Sequence, residues 1–144
     1  YISVTGVQTC ALPIYRHGAR EGFRLALAHD GEDLVGFAYG YTGRPGQWWT
    51  DTVATTLPAD VAQAWLGGHF EVVSLGVHPA ARGRGTGRAL MEVLTEGLPH
   101  ERLLLQTTAD AADPARRLYG SQGWEVLGPG TSEGTVVMGR VGRS

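Results

Sequence analysis

A stretch from Val77 to Leu90 constrains the fold of this chain more than any other part of the sequence. It reads Val-His-Pro-Ala-Ala-Arg-Gly-Arg-Gly-Thr-Gly-Arg-Ala-Leu, an apolar strand end followed by an arginine- and glycine-rich loop and an amphipathic helix. Glycine lets the backbone bend sharply and leaves no Cβ between its amide groups and a ligand. The start of a helix presents amides and the positive end of its dipole to the same place. The pattern predicts a strand–loop–helix unit that binds an anion such as a pyrophosphate.

Two common phosphate loops do not fit this stretch. A P-loop needs the pattern Gly-x4-Gly-Lys-Ser/Thr, and the chain contains no lysine. A dinucleotide-binding loop needs Gly-x-Gly-x-x-Gly. Gly83 and Gly85 supply the first two glycines, but the third position holds Arg88. A third pattern, Arg/Gln-x-x-Gly-x-Gly/Ala, is filled by Arg82, Gly85 and Gly87.

Two flanking motifs accompany that third pattern. The strand end Leu75–Pro79 reads Leu-Gly-Val-His-Pro, with the valine and proline before the loop. Downstream, Ala115–Trp124 reads Ala-Arg-Arg-Leu-Tyr-Gly-Ser-Gln-Gly-Trp, which matches Ala-x-x-Leu-Tyr-x-x-x-Gly-aromatic. With these motifs the chain resembles the GCN5-related N-acetyltransferases, the GNAT superfamily, over roughly Phe23 to Val141.

The resemblance implies a fold and a cosubstrate. The fold class is α/β (α+β), with a mixed, mostly antiparallel sheet flanked by helices, in which strands 4 and 5 are parallel and splayed. The cosubstrate is acetyl-CoA, and no metal is required. Its pyrophosphate would be held by the loop, and its pantetheine arm and thioester by backbone amides of the preceding strand. The implied cofactor-binding residues are Leu75, Val77, Arg82, Gly83, Arg84, Gly85, Thr86, Gly87 and Arg88.

The resemblance also implies catalytic roles. Tyr119 stands where the family usually has the general acid that assists departure of the CoA thiolate. Many relatives carry a glutamate three residues before the motif valine, where this chain has Ser74. We therefore consider Glu71, on the same strand, as the general base, acting directly or through water, with His69 as a lesser candidate. The family's frequent asparagine near the start of the Tyr119 helix is absent, and Ala112 and Asp113 stand there instead.

Hydrophobic patterns and turn residues predict the remaining elements. A hairpin joins Phe23–His29 to Leu34–Tyr41, a break covers Arg44–Trp49, and a short helix runs from about Leu57 to Leu66. Further elements are a buried strand from Phe70 to Val77, a helix from Gly85 to Leu98 and a strand at Leu103–Thr108. Asp113 and Pro114 cap the helix that carries Tyr119. Two closing strands, Trp124–Leu127 and Thr135–Met138, flank a turn at Gly128–Gly130.

Three tryptophans, Trp48, Trp49 and Trp65, lie between the hairpin and the buried strand. They are open to two interpretations: walls of an apolar acceptor pocket, or packing of this segment onto the sheet.

Composition narrows the possible partners. Twelve basic residues balance fourteen acidic ones, which gives a net charge of −2 and no general attraction to nucleic acid or membrane. No segment is apolar over the roughly 18–20 residues needed to span a bilayer, and no secretory signal is evident, so we expect a cytoplasmic protein. The five histidines show no metal-ligand spacing with carboxylates, so no metal site is expected.

The first residues have an unusual sequence. Val4–Ile14 resembles the in-frame translation of a sequencing-library adapter and contains the only cysteine. We therefore expect residues 1–14 to be a non-native segment and leave them out of the fold assignment; the alternative is a native, extended first strand. Residues 15–144 would then form one GNAT domain lacking most of its N-terminal strand and helices, with only Tyr15–Gly22 in their place. Without a native cysteine, an acyl-cysteine intermediate is not expected.

These observations predict an N-acetyltransferase that moves an acetyl group from acetyl-CoA to a small-molecule or peptide amine by direct attack in a ternary complex. Two alternatives remain. Ser74 in place of the glutamate favours a non-catalytic acyl-CoA-binding module. Binding of nucleic acid through the arginine- and glycine-rich loop would require a wider basic surface.

Overall fold

The computed structural model describes residues 2–7 and 20–142 of the chain. In that part the strands are β1 (Ile2–Val7), β2 (Arg24–Asp30), β3 (Asp33–Thr42), β4 (Phe70–Val77), β5 (Arg102–Thr108), β6 (Glu125–Pro129) and β7 (Thr135–Val141). The α-helices are α1 (Trp48–Thr56), α2 (Ala59–Trp65), α3 (Thr86–Thr95) and α4 (Pro114–Ser121). These residues form two compact units. Unit 1 comprises Tyr1–Thr42 and Val72–Leu98, and unit 2 comprises Gly43–Glu71 and Pro99–Ser144.

Unit 1 is a sheet in the order β1-β2-β3-β4 with α3 against it. The β2–β3 pair is antiparallel, with Ala26 opposite Ala38 and Ala28 opposite Gly36. The alanines of this face are fully buried, and a Cβ on Gly36 would lie 3.0 Å from a methyl carbon of Leu90 on α3. The small residues therefore let α3 approach the sheet closely. The opposite face holds a second apolar cluster, formed by Phe23, Leu25 and Tyr41 with Leu27, Tyr39 and Val73.

Unit 2 contains β5, β7 and β6 as neighbours in that order, with antiparallel β5–β7 and β7–β6 pairs. The first residues of β4 belong to this unit, and β4 runs parallel to β5, its neighbour in the sheet. Helices α1 and α2 cover one face of the unit. Its apolar cluster is built from Val53, Leu57, Leu104 and Val137, with Trp49, Val61, Ala62, Trp65, Leu66 and Leu127 packed around them.

The expected fold class is confirmed. The sheet is mixed and mostly antiparallel, with β4 and β5 parallel and with helices packed against it. The splaying of β4 from β5 stays a prediction. Asp113 caps α4 as predicted: its carboxylate accepts hydrogen bonds from the amides of Ala115 at 2.9 Å and Arg116 at 3.2 Å. Within the described residues, no helix is both long and apolar enough to cross a membrane.

Two expectations about local structure were wrong. The predicted break at Arg44–Trp49 overlaps the first two residues of an unpredicted helix, α1, which spans Trp48–Thr56. Its four threonines do not favour a helix, but Val53 is fully buried in the cluster of unit 2, so packing supports it. The predicted turn at Gly128–Gly130 starts later, because β6 continues to Pro129. Proline is tolerated there because it ends a strand at the edge of the unit.

Part of the N-terminal segment lies within the described residues. Ile2–Val7 forms β1, paired antiparallel with β2, so these residues are part of the sheet. Ile2 and Val4 are partly buried and alternate with the exposed Ser3 and Thr5, as expected for a half-buried edge strand. The non-native origin of residues 1–14 stays a prediction. Most of Tyr15–Gly22, the predicted remnant of the N-terminal helices, lies outside the described residues.

Candidate active site

The anion-binding turn in unit 1 begins where β4 ends. His78 donates its backbone N–H to the carbonyl of Val35 on β3 at 2.7 Å. Because amides alternate in direction along an extended chain, the N–H of Val77 points away from β3. The Val77 carbonyl lies on the same side, and the Nε of Arg82 donates to it at 3.3 Å. The last residue of β4 thus turns its backbone N–H and carbonyl away from β3, and its carbonyl lies beside Arg82.

Packing shows that β4 is irregular just before this point. Val73 packs with the cluster of Leu25 and Tyr41. A Cβ on Gly76 would lie 2.6 Å from a ring carbon of Phe37, which faces the same side of the sheet as Tyr39 and Leu25. In a regular strand, residues three apart face opposite sides. The strand therefore changes face between Val73 and Gly76, as at a β-bulge, and Leu75 lies within this irregular stretch.

The loop itself is built around two glycines in left-handed conformations. Gly83 has φ +77° and Gly85 has φ +76°, and nothing lies within 4 Å of a Cβ placed on either. Gly85 caps α3, and the buried Thr86 hydroxyl donates to the carbonyl of Ala81 at 3.1 Å. The first intrahelical bond runs from the amide of Ala89 to the carbonyl of Gly85. Amides before Ala89, such as that of Gly87, therefore have no acceptor within the helix and point out of its N-terminal end.

The three arginines have different surroundings. Arg82 is turned back onto Val77, whereas Arg84 approaches Asp30 of the β2–β3 hairpin at 3.8 Å with both side chains about half exposed. Arg88 lies in the first turn of α3. The structure thus brings the predicted cofactor-binding residues of unit 1, from Leu75 to Arg88, into one strand–loop–helix. Arg82 is bonded to the strand end.

The proposed catalytic side chains belong to unit 2. Tyr119 is 7% exposed on α4, with its ring 6.4 Å from that of Trp124. Burial, and to a smaller extent the negative charge of Asp113, raises the pKa of Tyr119 to about 12. Tyr119 therefore stays a protonated hydrogen-bond donor throughout the physiological range. Glu71 is 5% exposed near the start of β4.

His69 is unsuited to accept a proton. Its Nδ1 accepts a hydrogen bond from the amide of Gly67 at 3.0 Å, and the side chain is 1% exposed. Burial, with smaller contributions from the positive charges of His100 and Arg44, lowers the pKa of His69 to about 4. The neutral ring therefore carries its hydrogen on Nε2, because its lone pair on Nδ1 is already used.

Two of the three tryptophans, Trp49 and Trp65, pack against the apolar cluster of unit 2. Trp65 packs into the cluster of unit 2, where Arg102 stacks over its ring at 5.2 Å. Trp49 is half-buried and hydrogen-bonds Gln106 on β5. Trp48 is 71% exposed.

The sequence was compared with protein families and with known proteins. The sequence profile of the acetyltransferase (GNAT) family matches residues 5–124. The chain belongs to this family. A GCN5-like protein acetyltransferase from Mycobacterium tuberculosis, Rv2170, is 37% identical over 93 residues, which cover 60% of this chain and 45% of that protein. The chain thus spans less than half the length of this relative.

Solved structures show the same GNAT fold. The IAA acetyltransferase from Bacillus cereus aligns over 98% of this chain and 99% of its own, with a TM-score of 0.65 and 13% identity. The ribosomal-protein-S18-alanine N-acetyltransferase from Escherichia coli aligns over 100% and 96%, with a TM-score of 0.63 and 17% identity. At these identities the likeness concerns the fold.

One polar arrangement in this GNAT chain was missed from the sequence. Gln106 of β5 joins Trp49 and Thr131, which are distant in the chain. A glutamine on a strand carries no local signal of such a role, so only the folded arrangement reveals it. Within residues 2–7 and 20–142, no three His, Cys, Asp or Glu side chains are grouped as a metal site.

Proposed function

We propose that this GNAT chain is an N-acetyltransferase that moves an acetyl group from acetyl-CoA to a primary amine by direct attack in a ternary complex. The observation that carries the proposal is the turn between β4 and α3. Gly83 and Gly85 leave it open on the outside, Thr86 ties it to Ala81, and helix amides face its centre. These features fit a pyrophosphate, because its charge is attracted to a helix N-terminus and to arginine.

The cofactor-binding residues are proposed in two groups. Arg82, Gly83, Arg84, Gly85, Thr86, Gly87 and Arg88 would hold the pyrophosphate. The amides of Leu75 and Val77 would bind the pantetheine arm and the thioester carbonyl. The direction of the Val77 amide, away from β3, supports this assignment. A fixed amide aimed at the oxygen where charge develops lowers a barrier by about 3 kcal/mol.

Acetyl-CoA supplies an acyl group activated as a thioester. The nitrogen of the acceptor forms a bond to the acyl carbon, the carbon–sulfur bond breaks, and the electron pair leaves on sulfur. Tyr119 would donate a hydrogen bond to that sulfur. A phenol with a pKa of about 12 is a weaker acid than a thiol, whose ordinary pKa is about 8.5. We therefore assign Tyr119 to stabilise the thiolate by hydrogen bonding without complete proton transfer, a narrower role than general acid.

The proton lost by the attacking amine needs an acceptor. Glu71 is the carboxylate of β4 and is buried, and we propose it as the base, either directly or through a water molecule. His69 is set aside because the Gly67 amide occupies its lone pair.

An acyl-CoA-binding module without turnover is the second candidate. The observation that favours it is Ser74 on β4, where many relatives have glutamate. A hydroxyl does not accept a proton from an ammonium at neutral pH. The module would bind CoA through the same turn but give no acetylated product.

The test is turnover with acetyl-CoA and a panel of primary amines, followed by mass spectrometry of the amine and by titration of free CoA thiol. The proposal predicts acetylated amine and free thiol in equal amounts. Glu71→Gln should lower kcat roughly tenfold or more, and Glu125→Gln, the same change at an exposed position of β6, should not. Binding of acetyl-CoA with no product from any amine would favour the module.

A further inference from the structure

The carboxamide of Gln106 is held by its oxygen alone. Oε1 accepts from the indole Nε1 of Trp49 at 3.0 Å, from the backbone amide of Thr131 at 3.0 Å and from the Thr131 hydroxyl at 3.1 Å. Indole and backbone N–H groups only donate, so the oxygen end of the carboxamide faces Trp49 and Thr131. The NH₂ end must therefore face the other way.

The backbone also fixes this side chain. A Cβ on Gly130 would lie 2.9 Å from Cδ of Gln106, so the β6–β7 turn packs directly against the carboxamide. Gln106 pairs with Val137 across the β5–β7 ladder. Its side chain is thus on the face of unit 2 that carries the apolar cluster under α1 and α2. It is half-buried and lies at the rim of that cluster, two residues along β5 from the fully buried Leu104 on the same face.

The two ends of this carboxamide have different surroundings. Here three donors meet one oxygen, while Nε2 has no acceptor among residues 2–7 and 20–142 and is not sealed from solvent. Two N–H donors are therefore presented in a fixed direction at the surface of unit 2, the unit that also holds Glu71 and Tyr119.

We propose that Gln106 is a substrate-binding residue that donates from Nε2 to a carbonyl oxygen of the acceptor. This inference rests on the proposed function and names its acceptor class: amines that also carry a carbonyl group, such as amino acid amides and peptide N-termini. Trp49 and Thr131 are positioning residues, because they orient the carboxamide. The pantetheine arm of acetyl-CoA also carries amide carbonyls, so the test must separate the two partners.

Two probe amines differ in that carbonyl. Alaninamide carries a carboxamide where isopropylamine carries a methyl group. We expect Gln106→Leu to lower kcat/KM for alaninamide roughly tenfold, the loss for one hydrogen bond to substrate. The same variant should change isopropylamine turnover and the KM for acetyl-CoA by less than about twofold. Comparing variant with wild type for each amine cancels their different basicities.

Further variants separate binding from folding. Trp49→Phe removes one of the three donors but keeps an aromatic ring, so it should give a smaller loss confined to alaninamide. Gln106→Glu keeps an oxygen toward Thr131 and replaces the N–H donors by a carboxylate oxygen, so it should be as harmful as leucine. Gln63→Leu, on the exposed side of α2, is the matched control and should change neither amine. Thermal unfolding of each variant shows whether it is folded.

Several results would overturn the assignment. Equal losses for both amines in folded Gln106→Leu would make the residue structural, and a selective rise in the KM for acetyl-CoA would assign it to the pantetheine arm. Wild type that acetylates isopropylamine but not alaninamide would refute the acceptor class and leave the acetyltransferase activity standing. Acetylation of neither amine, with stabilisation by acetyl-CoA, would refute the acceptor class and leave CoA binding intact. Without that stabilisation the proposed function would fail as well.

Discussion

The Nε of Arg82 donates a hydrogen bond to the carbonyl oxygen of Val77, 3.3 Å away. The arginine that follows the 3₁₀ turn Pro79–Ala81 is thereby folded back onto the end of β4. Arg84, two residues later, is directed to Asp30 instead, at 3.8 Å. Two neighbouring arginines of the same motif thus belong to different surroundings, and they should contribute unequally to cofactor binding.

Substitution of these arginines tests that inequality. We expect Arg82→Ala to raise the KM for acetyl-CoA roughly tenfold, because it removes a charge-assisted hydrogen bond to phosphate. Arg84→Ala, a matched change in the same loop, should raise it less than about threefold, because exposed charges are screened by salt. Initial rates over a range of acetyl-CoA concentrations provide both values. Equal increases of the KM in the two variants would contradict the unequal contributions of Arg82 and Arg84.

The raised pKa of Tyr119 should be visible in stability at high pH. The unfolded tyrosine loses its proton near pH 10, whereas in the folded chain the pKa is about 12. Between these values the unfolded state binds fewer protons, so the stabilising contribution is complete below pH 10 and is lost as the pH rises to 12. Wild type should lose about 2–3 kcal/mol more than Tyr119→Phe over this window. Denaturant unfolding of both proteins at several pH values measures the difference, and parallel curves would show that the tyrosine is not perturbed.

Asp113 has two separable effects on α4. Its carboxylate caps the helix, and its charge is the smaller of two causes that raise the pKa of Tyr119. Asp113→Asn should keep the cap and lower the tyrosine pKa, although burial should hold it above 10. Asp113→Ala should lower the free energy of unfolding by about 1 kcal/mol through loss of the cap. Ultraviolet titration of the phenol and denaturant unfolding measure the two effects. An unchanged tyrosine pKa in Asp113→Asn would contradict the electrostatic coupling.

His69 should make the fold sensitive to acid. Burial, with smaller effects from His100 and Arg44, lowers its pKa from 6.5 to about 4. As the pH falls from 6.5 to 4, the unfolded state takes up the proton first, so stability decreases by up to about 3 kcal/mol. His69→Asn retains an acceptor for the Gly67 amide but cannot titrate, so its stability should fall less over this range. The same loss in wild type and variant would contradict a role for His69.

Local signals were enough to predict much of the fold. The Asp113–Pro114 pair indicated the start of α4, since an acidic cap and a proline favour a first helical turn. The three glycines after β4 indicated the turn into α3, and two of them, Gly83 and Gly85, have positive φ values. In such places the backbone conformation is dictated by the residue types themselves.

Features that depend on distant contacts were not predicted. Helix α1 has few helix-favouring residues and depends on Val53 packing with Leu104 and Val137. The orientation of Gln106 depends on two partners, 57 positions before it and 25 after it. None of these relationships leaves a pattern along the chain.

A comparison of two glycine variants tests the proposed binding of acetyl-CoA by the turn before α3. Gly85 and Gly97 both have positive φ, and both have open space around a Cβ. Glutamate should therefore strain the backbone equally at the two positions, by roughly 1–2 kcal/mol. Only Gly85→Glu places a carboxylate at the proposed pyrophosphate site.

The measurement is the shift in Tm that acetyl-CoA produces in wild type, Gly85→Glu and Gly97→Glu. At about 100 times its Kd the ligand should stabilise wild type by about 2.7 kcal/mol, which corresponds to several degrees. Gly97→Glu should keep this shift and Gly85→Glu should lose it, although the two variants start from similar Tm values without ligand. An equal shift in both variants would place acetyl-CoA elsewhere, and no shift in folded wild type would contradict binding of acetyl-CoA by this chain.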